Sequence, residues 1–200
     1  MSNKISRSTF LKCTGASAAA LGTAALLGGC QSSSNASVEV KVGDKVSNWN
    51  NLGVQLTSVF TLTSAPDVPG HEYVAVLVTA VNRSSSVTFN IGAPNIAEIN
   101  AAYPLDTDAA KAANTAPYFH ALSASTTDFA VVCDGADVES GAYISLYDST
   151  TETFTDAPSL PPQRSGYIEL VCMVPTGWQQ ITDTYTPTYL TNKTLTFSHS

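Results

Sequence analysis

The chain has 200 residues, a net charge of −7 at pH 7, 44% hydrophobic residues and 12% charged residues. This length suits a single domain with a sizeable hydrophobic core. The excess of acidic side chains argues against nucleic acid as a partner and against electrostatic adhesion to anionic lipid, because like charges repel.

Residues 1–30 have the pattern of an export signal. A short basic stretch precedes an apolar, alanine-rich stretch over 16–27, and two glycines stand directly before Cys30. A transmembrane anchor needs about 20 predominantly apolar residues, and this stretch is shorter and interrupted by Thr23. A plain secretory signal followed by a chance cysteine is the remaining alternative.

Leu-Gly-Gly-Cys at 27–30 resembles the lipobox of bacterial lipoproteins. The resemblance implies cleavage after residue 29 and a diacylglycerol on Cys30, which would anchor the protein at the extracytoplasmic face of the cell membrane. Two acyl chains give stable anchoring where one does not. The segment 7–12 resembles a twin-arginine signal with Ser8 in place of the second arginine, so the general secretory and twin-arginine routes both remain open.

These features predict a signal peptide over 1–29, a lipidated cysteine and flexible polar tether over 30–37, and one domain over 38–200. Removing 1–29 takes away three basic residues and no acidic one, leaving 6 basic and 16 acidic side chains and a formal charge of −10. Ten of the acids lie between Glu98 and Asp156, against the single base Lys111.

The domain region has the alternation typical of β-strands. Val38, Val40 and Val42 alternate with polar residues, and 52–60 continues the pattern. The segment 72–81 is almost entirely apolar, which predicts a central strand buried on both faces. Further strands are predicted by the same patterns, over 86–91, 127–133, 142–147, 166–174 and 193–197.

Two segments depart from the strand pattern. Asp106-Thr107-Asp108 followed by alanines is an N-cap signal, which predicts one or two short helical turns inserted near 95–116. The proline-rich segment 158–162 predicts a rigid extended connector. The fold class expected is an all-β antiparallel sandwich or barrel.

The order of turns and strands resembles that of a known family. The landmarks are Gly43-Asp44, then Pro69 to Val76, an asparagine turn at Asn82, and late segments at 165–168, 174–175 and 195–197. They resemble a telokin-like, immunoglobulin-like domain of unknown function found in bacterial surface lipoproteins. The resemblance covers about residues 40–198, except that the insertion at 95–116 departs from the pattern of the family. It implies an immunoglobulin-like β-sandwich and supplies no catalytic residue.

The domain region contains two cysteines, Cys133 and Cys172. Alternation places both on the core side of their strands, and an isolated pair outside the cell suggests a disulfide. Such a bridge would close roughly 40 residues and stabilise by about 4 kcal/mol. The alternative is two buried free thiols.

No catalytic constellation is recognisable in the sequence. His71-Glu72 lacks the second histidine of a zinc-protease helix, since Ala75 stands at that position, and no Gly-x-Ser-x-Gly elbow occurs. The best metal candidate is a Ca²⁺ site at Asp134, Asp137 and Glu139, where alternating carboxylates follow a turn. A solvated acidic surface is the alternative reading of the same residues.

The late aromatic residues Trp178, Tyr185 and Tyr189 are candidates for contacts with sugars or a protein, or for plugs at the end of a sandwich. Our main hypothesis is a non-enzymatic surface lipoprotein that binds a protein or a cell-wall ligand, without a required cofactor. The alternatives are a cell-wall or carbohydrate hydrolase that uses acidic residues, and a lipoprotein that binds a small molecule or metal.

Overall fold

The computed structural model describes residues 32–33, 36–92, 94–148, 150–151 and 153–200. In chain order the strands are β1 (Ser32–Ser33), β2 (Ser37–Lys41), β3 (Lys45–Trp49), β4 (Leu52–Thr61), β5 (His71–Asn82), β6 (Phe89–Asn90), β7 (Phe129–Cys133), β8 (Ala136–Val138), β9 (Ser140–Asp148), β10 (Thr153–Ala157), β11 (Ser159–Leu160), β12 (Ser165–Pro175), β13 (Ile181–Tyr185) and β14 (Thr194–His199). Between β6 and β7 lie two helices, α1 (Ile96–Ala102) and α2 (Asp108–Ser125).

Two large sheets form a sandwich. Sheet A has the order β1-β3-β4-β5-β12-β9-β10, and sheet B has the order β2-β14-β13-β7-β8. Neighbouring strands are antiparallel except in the pairs β1–β3 and β2–β14. Side chains from both sheets, such as Val78 and Ile168 from sheet A and Phe197 from sheet B, meet in one buried cluster. The predicted β-sandwich is therefore confirmed.

Strand β5 is the central strand that its apolar sequence predicts. It lies between β4 and β12, and every residue from Tyr73 to Ala80 is buried. Val76 and Val78 face sheet B, whereas Ala75 and Leu77 belong to a second cluster on the other face. A strand is apolar on both faces only when each face packs against another layer.

That other layer is helical, and it is larger than predicted. Helix α2 continues to Ser125, well past the predicted limit of residue 116, and packs Phe119 and Leu122 against sheet A. Its start follows the prediction, since the Thr107 side chain accepts the Ala110 amide at 3.1 Å. Pro117 inside the helix costs about 3 kcal/mol, and burial of about 1.5–3 kcal/mol for each large apolar side chain outweighs that cost.

The described chain begins with a strand where the sequence predicts a flexible tether. Ser32 pairs with Asn48 and Ser33 with Trp49, in parallel with β3. Strand β3 would otherwise present unpaired backbone groups at the sheet edge, and β1 satisfies part of that edge. Ser32, the first described residue, is two residues after Cys30 in the sequence and already belongs to sheet A.

The two ends of the sandwich differ, and we name them. The tether end is the end where β3 and β5 finish. It is marked by a lateral row of residues that pair across neighbouring strands, namely Ser33, Trp49, Leu52 and Asn82. The acidic end is opposite. It holds the connections between β2 and β3, between β4 and β5, and between β7 and β8.

Candidate functional site

The acidic end gathers most of the chemically active side chains outside the core. Among the described residues, six carboxylates lie in its turns and strand ends and Glu39 lines its cleft, against the two lysines Lys41 and Lys45. The acids are Asp44, Asp67, Glu72, Asp134, Asp137 and Glu139. The three histidines of the chain, His71, His120 and His199, lie at the same end.

Asp134 fastens the β7–β8 hairpin to the chain before β13. Asp134 and Gly135 have φ angles of 49° and 86°, which is the backbone of a tight hairpin turn. The Asp134 carboxylate accepts the amides of Gln179, at 3.1 Å, and Gln180, at 2.7 Å. Its oxygens are therefore committed to a structural role.

Glu139 and Asp67 hold His120 between them. Nδ1 of the His120 ring lies 2.8 Å from Oε1 of Glu139, and Nε2 lies 3.2 Å from Oδ2 of Asp67. A carboxylate only accepts hydrogen bonds, so the doubly protonated ring can donate to both acids at once. The hydrogen bond to Glu139 is the largest cause that raises the pKa of His120 above its ordinary value, and the bond to Asp67 adds to it. The ring links α2 to two loops.

Trp178 and His199 form the aromatic part of the acidic end. Their ring centroids are 5.6 Å apart, and Nε1 of Trp178 donates to Oε1 of Glu72 at 2.9 Å. Beside them is a cleft of about 270 Å³, which is small for an organic ligand. Its lining is mostly polar and includes Glu39, Lys41 and Val42.

The structure does not assemble the predicted Ca²⁺ site. Asp134 accepts backbone amides, Glu139 pairs with His120, and Asp137 is exposed on β8 opposite Val132. Among the residues that the structure describes, no group of three or more His, Cys, Asp or Glu side chains is arranged to hold a metal ion. His120 and its two neighbouring carboxylates do not form a metal site either, because Glu139 and Asp67 lie at opposite nitrogens of the ring.

Cys133 and Cys172 are both buried, as their alternation predicts, and belong to one cluster between the sheets. The structure has them as free cysteines, so the predicted disulfide is not formed in it. The Cys172 sulfur lies 3.5 Å from the Val74 carbonyl oxygen. Burial raises the pKa of both thiols above their ordinary values, which keeps them protonated at neutral pH.

Sequence reasoning missed Asp183, a carboxyl group in the core near Cys172. It lies on β13 between Ile181 and Tyr185, and only 1% of its surface is exposed. Burial raises its pKa to about 7, and its Oδ1 has no hydrogen-bond partner among the described residues. The available signal was alternation, because Ile181, Asp183 and Tyr185 share one face of the strand.

The three late aromatic residues do not form one surface. Trp178 lies at the acidic end, whereas Tyr185 is fully buried and stacks on Phe129 with ring centroids 4.9 Å apart. Tyr189 lies at the tether end, where its hydroxyl is 3.1 Å from that of Tyr185. Tyr185 and Phe129 thus plug the tether end of the sandwich, which is one of the two predicted roles.

Cys30 lies outside the described residues, as does the predicted signal peptide over 1–29. The lipidation site and its boundaries therefore stay predictions. In the described ranges, neither helix has the length and apolar character needed to cross a membrane.

No protein-family model matches this chain, and no curated protein matches its sequence. One similar solved structure is an uncharacterized β-sandwich protein from Clostridium difficile 630, with a TM-score of 0.43 and 11% identity over 81% of this chain and 93% of that chain. Another is a protein from Bacillus subtilis subsp. subtilis strain 168, described provisionally as a lipoprotein. Its TM-score is 0.42 and its identity 14%, and the match covers 76% of this chain and 37% of the other.

Proposed function

We propose that this protein is an extracytoplasmic lipoprotein, anchored through Cys30, whose sandwich is a non-catalytic binding module. The observation that carries the proposal is the junction between the lipobox and the fold. Leu-Gly-Gly-Cys ends at residue 30, and Ser32 is already paired with Asn48 in sheet A. A chain that began at Cys30 would keep every described strand.

The acidic end supplies the binding surface in this proposal. Its excess of carboxylates over lysines suits a partner that carries positive charge, such as a basic protein segment or an amine-bearing cell-wall polymer. The Trp178 and His199 rings and the cleft beside them add an aromatic edge. Charge would mainly set the association rate, and the aromatic edge would add contact area.

The geometry of the polar groups supports binding over catalysis. A general base needs a free lone pair near the proton it removes. His120 has a carboxylate at each ring nitrogen, Asp134 accepts two backbone amides, and Glu72 accepts the Trp178 indole. These groups hold loops in place, so a hydrolase would have to take its acid and base from elsewhere in the chain.

The anchor is tested by expressing the full chain in a bacterium supplied with an alkyne analogue of palmitate. We expect the wild-type protein to be labelled and to sediment with membranes, and Cys30→Ser to lose the label. Cys13→Ser is the matched control, because Cys13 also precedes the described domain and should not affect labelling. Equal labelling of the C30S and wild-type proteins would contradict the anchor.

Binding is tested with an oligolysine peptide and with purified cell wall as probes. Asp44→Asn combined with Asp137→Asn should weaken binding several-fold and flatten its salt dependence, since Asn keeps the shape and removes the charge. Asp106→Asn combined with Asp108→Asn, at the start of α2, is the control pair. Equal losses from the two pairs would contradict a binding surface at the acidic end, and release of soluble wall fragments would contradict a non-catalytic role.

A further inference from the structure

The start of the described chain limits where the membrane can lie relative to the domain. Ser33 pairs with Trp49, which is in the lateral row that marks the tether end. An extended chain rises at most about 3.6 Å per residue, so Cys30 is no more than about 7 Å from Ser32. An acyl chain on Cys30 would therefore draw the bilayer surface to this corner of the sandwich.

The same end exposes large apolar side chains. Among the described residues, three large hydrophobic side chains are exposed: Val42 at 46%, Val87 at 48% and Tyr189 at 38%. Val42 is at the acidic end, and Val87 and Tyr189 are at the tether end. Tyrosine has an apolar ring and a polar hydroxyl and is enriched where membrane meets water.

Val87 and Tyr189 are held in fixed positions. The Val87 amide donates to Oγ of Ser84 at 2.9 Å, and its carbonyl accepts Nδ2 of Asn82 at 2.7 Å. The Tyr189 ring packs on Phe89 with centroids 5.6 Å apart. Ordering these side chains at a surface would cost little further conformational entropy.

The charges also differ between the two ends. Arg83, Arg164 and Lys193 lie at the tether end, which is half of the six basic residues in the chain after residue 29. The described acids at this end are Asp128, which is buried, and Asp148, whose pKa backbone hydrogen bonds hold below its ordinary value, with Arg164 as a smaller cause. The acidic end, with its excess of carboxylates over lysines, would be repelled by anionic lipid.

We propose that the tether end is a lipid-contact surface that rests on the phospholipid headgroups around the anchored Cys30. Val87 and Tyr189 lie at headgroup level, Arg164 and Lys193 face lipid phosphates, and the acidic end points away from the membrane. This inference rests on the proposed lipid anchor. It assigns the two ends opposite roles, one against lipid and one toward the partner.

The orientation is tested with full-length lipidated protein reconstituted into vesicles of equal parts phosphatidylcholine and phosphatidylglycerol. Val87→Cys and Val42→Cys place one fluorophore at the tether end or at the acidic end, and both positions are exposed valines in the native chain. Wild-type protein, whose Cys133 and Cys172 are buried, gives the labelling background. Brominated lipid should quench the fluorophore at position 87 several-fold more than the fluorophore at position 42.

The possible results separate the orientation from the anchor. Wild-type protein that does not float with the vesicles would overturn both the anchor and the orientation. Protein that floats but is quenched equally at the two positions, or more at position 42, would overturn the orientation alone. Stronger quenching at position 87 would support it.

A charge variant tests the basic side chains separately. Arg164→Gln combined with Lys193→Gln should reduce quenching at position 87 in vesicles with phosphatidylglycerol and leave it unchanged in pure phosphatidylcholine. Lys41→Gln combined with Lys45→Gln, at the acidic end, is the matched control. An equal reduction from the control pair would overturn the contact between lipid phosphates and the tether-end cations.

Discussion

Asp183 places a titratable group where the sandwich otherwise has apolar side chains. Its neighbours across sheet B are Val131 and Phe197, and burial raises its pKa to about 7. The folded state therefore keeps the proton between about pH 4 and pH 7, while the unfolded chain releases it. Since the unfolded state binds fewer protons over this interval, stability falls as pH rises.

Asp183→Asn should remove this pH dependence. Three pH units correspond to about 4 kcal/mol, so the variant should match the wild-type protein near pH 4 and exceed its unfolding free energy by up to about that amount at pH 8. Urea unfolding across this range measures the effect. Asp137→Asn is the exposed control and should keep the wild-type slope. Equal pH dependence of the unfolding free energy in the wild-type protein and in Asp183→Asn would show that the fold does not raise the pKa of Asp183.

At the scale of elements, the contact between α2 and β9 depends on Gly141. A Cβ atom at this position would lie 2.6 Å from Cγ of Leu122 and 3.0 Å from the Ser123 amide nitrogen. The absence of a side chain on β9 therefore lets the helix approach the sheet. The strand pattern of 142–147 predicts β9, but it contains no information on how closely a helix passes over it.

Gly141→Ala should destabilise the protein by about 1–3 kcal/mol, because the added methyl group has no room. Leu122→Ala should itself cost about 2–5 kcal/mol and would create part of the missing space. Urea unfolding of both single variants and the double variant forms a cycle. We expect the alanine at 141 to cost less in the Leu122→Ala background. If the losses of the two single variants were strictly additive, the added methyl group would instead clash with the helix backbone.

Three elements differ from the sequence predictions, each for its own physical reason. Strand β13 alternates correctly, but its central inward residue is Asp183, so a search for apolar alternation passes over it. Strand β10 is a short edge strand with partly exposed side chains, whose residues resemble those of loops. The predicted strand at 86–91 shrinks to Phe89–Asn90 because Ser84 and Asn82 bind the preceding backbone in a turn.

For the whole molecule, the three-layer arrangement predicts a gradient of local stability. Strands β5 and β12 lie in the middle of sheet A with a packed layer on each face, whereas β10 and β2 are edge strands. Amide hydrogen exchange should therefore be slower in β5 and β12 than in the edge strands β10 and β2. Exchange in β12 as fast as in β10 would contradict this gradient.

Local patterns in the sequence were sufficient to predict the features that depend on neighbouring residues. Unbroken apolar character identified β5 as a central strand, alternation directed Cys133 and Cys172 into the core, and Thr107 marked the start of α2. The export pattern that ends at Cys30 is likewise local, and the proposed extracytoplasmic localisation is based on it. Each of these signals comes from a few adjacent side chains.

Contacts between distant residues became apparent from the folded arrangement of the chain. The fold places His120 between Asp67 and Glu139, and it brings the Asp134 carboxylate within hydrogen-bond distance of the backbone amides before β13. It also buries Asp183 and extends α2 over sheet A. It also brings Ser33 beside Trp49 and so separates a tether end from an acidic end. These outcomes depend on strand order and register between segments far apart in the chain. Local periodicity predicts which face of a strand is buried, but it does not predict which distant residues that face meets.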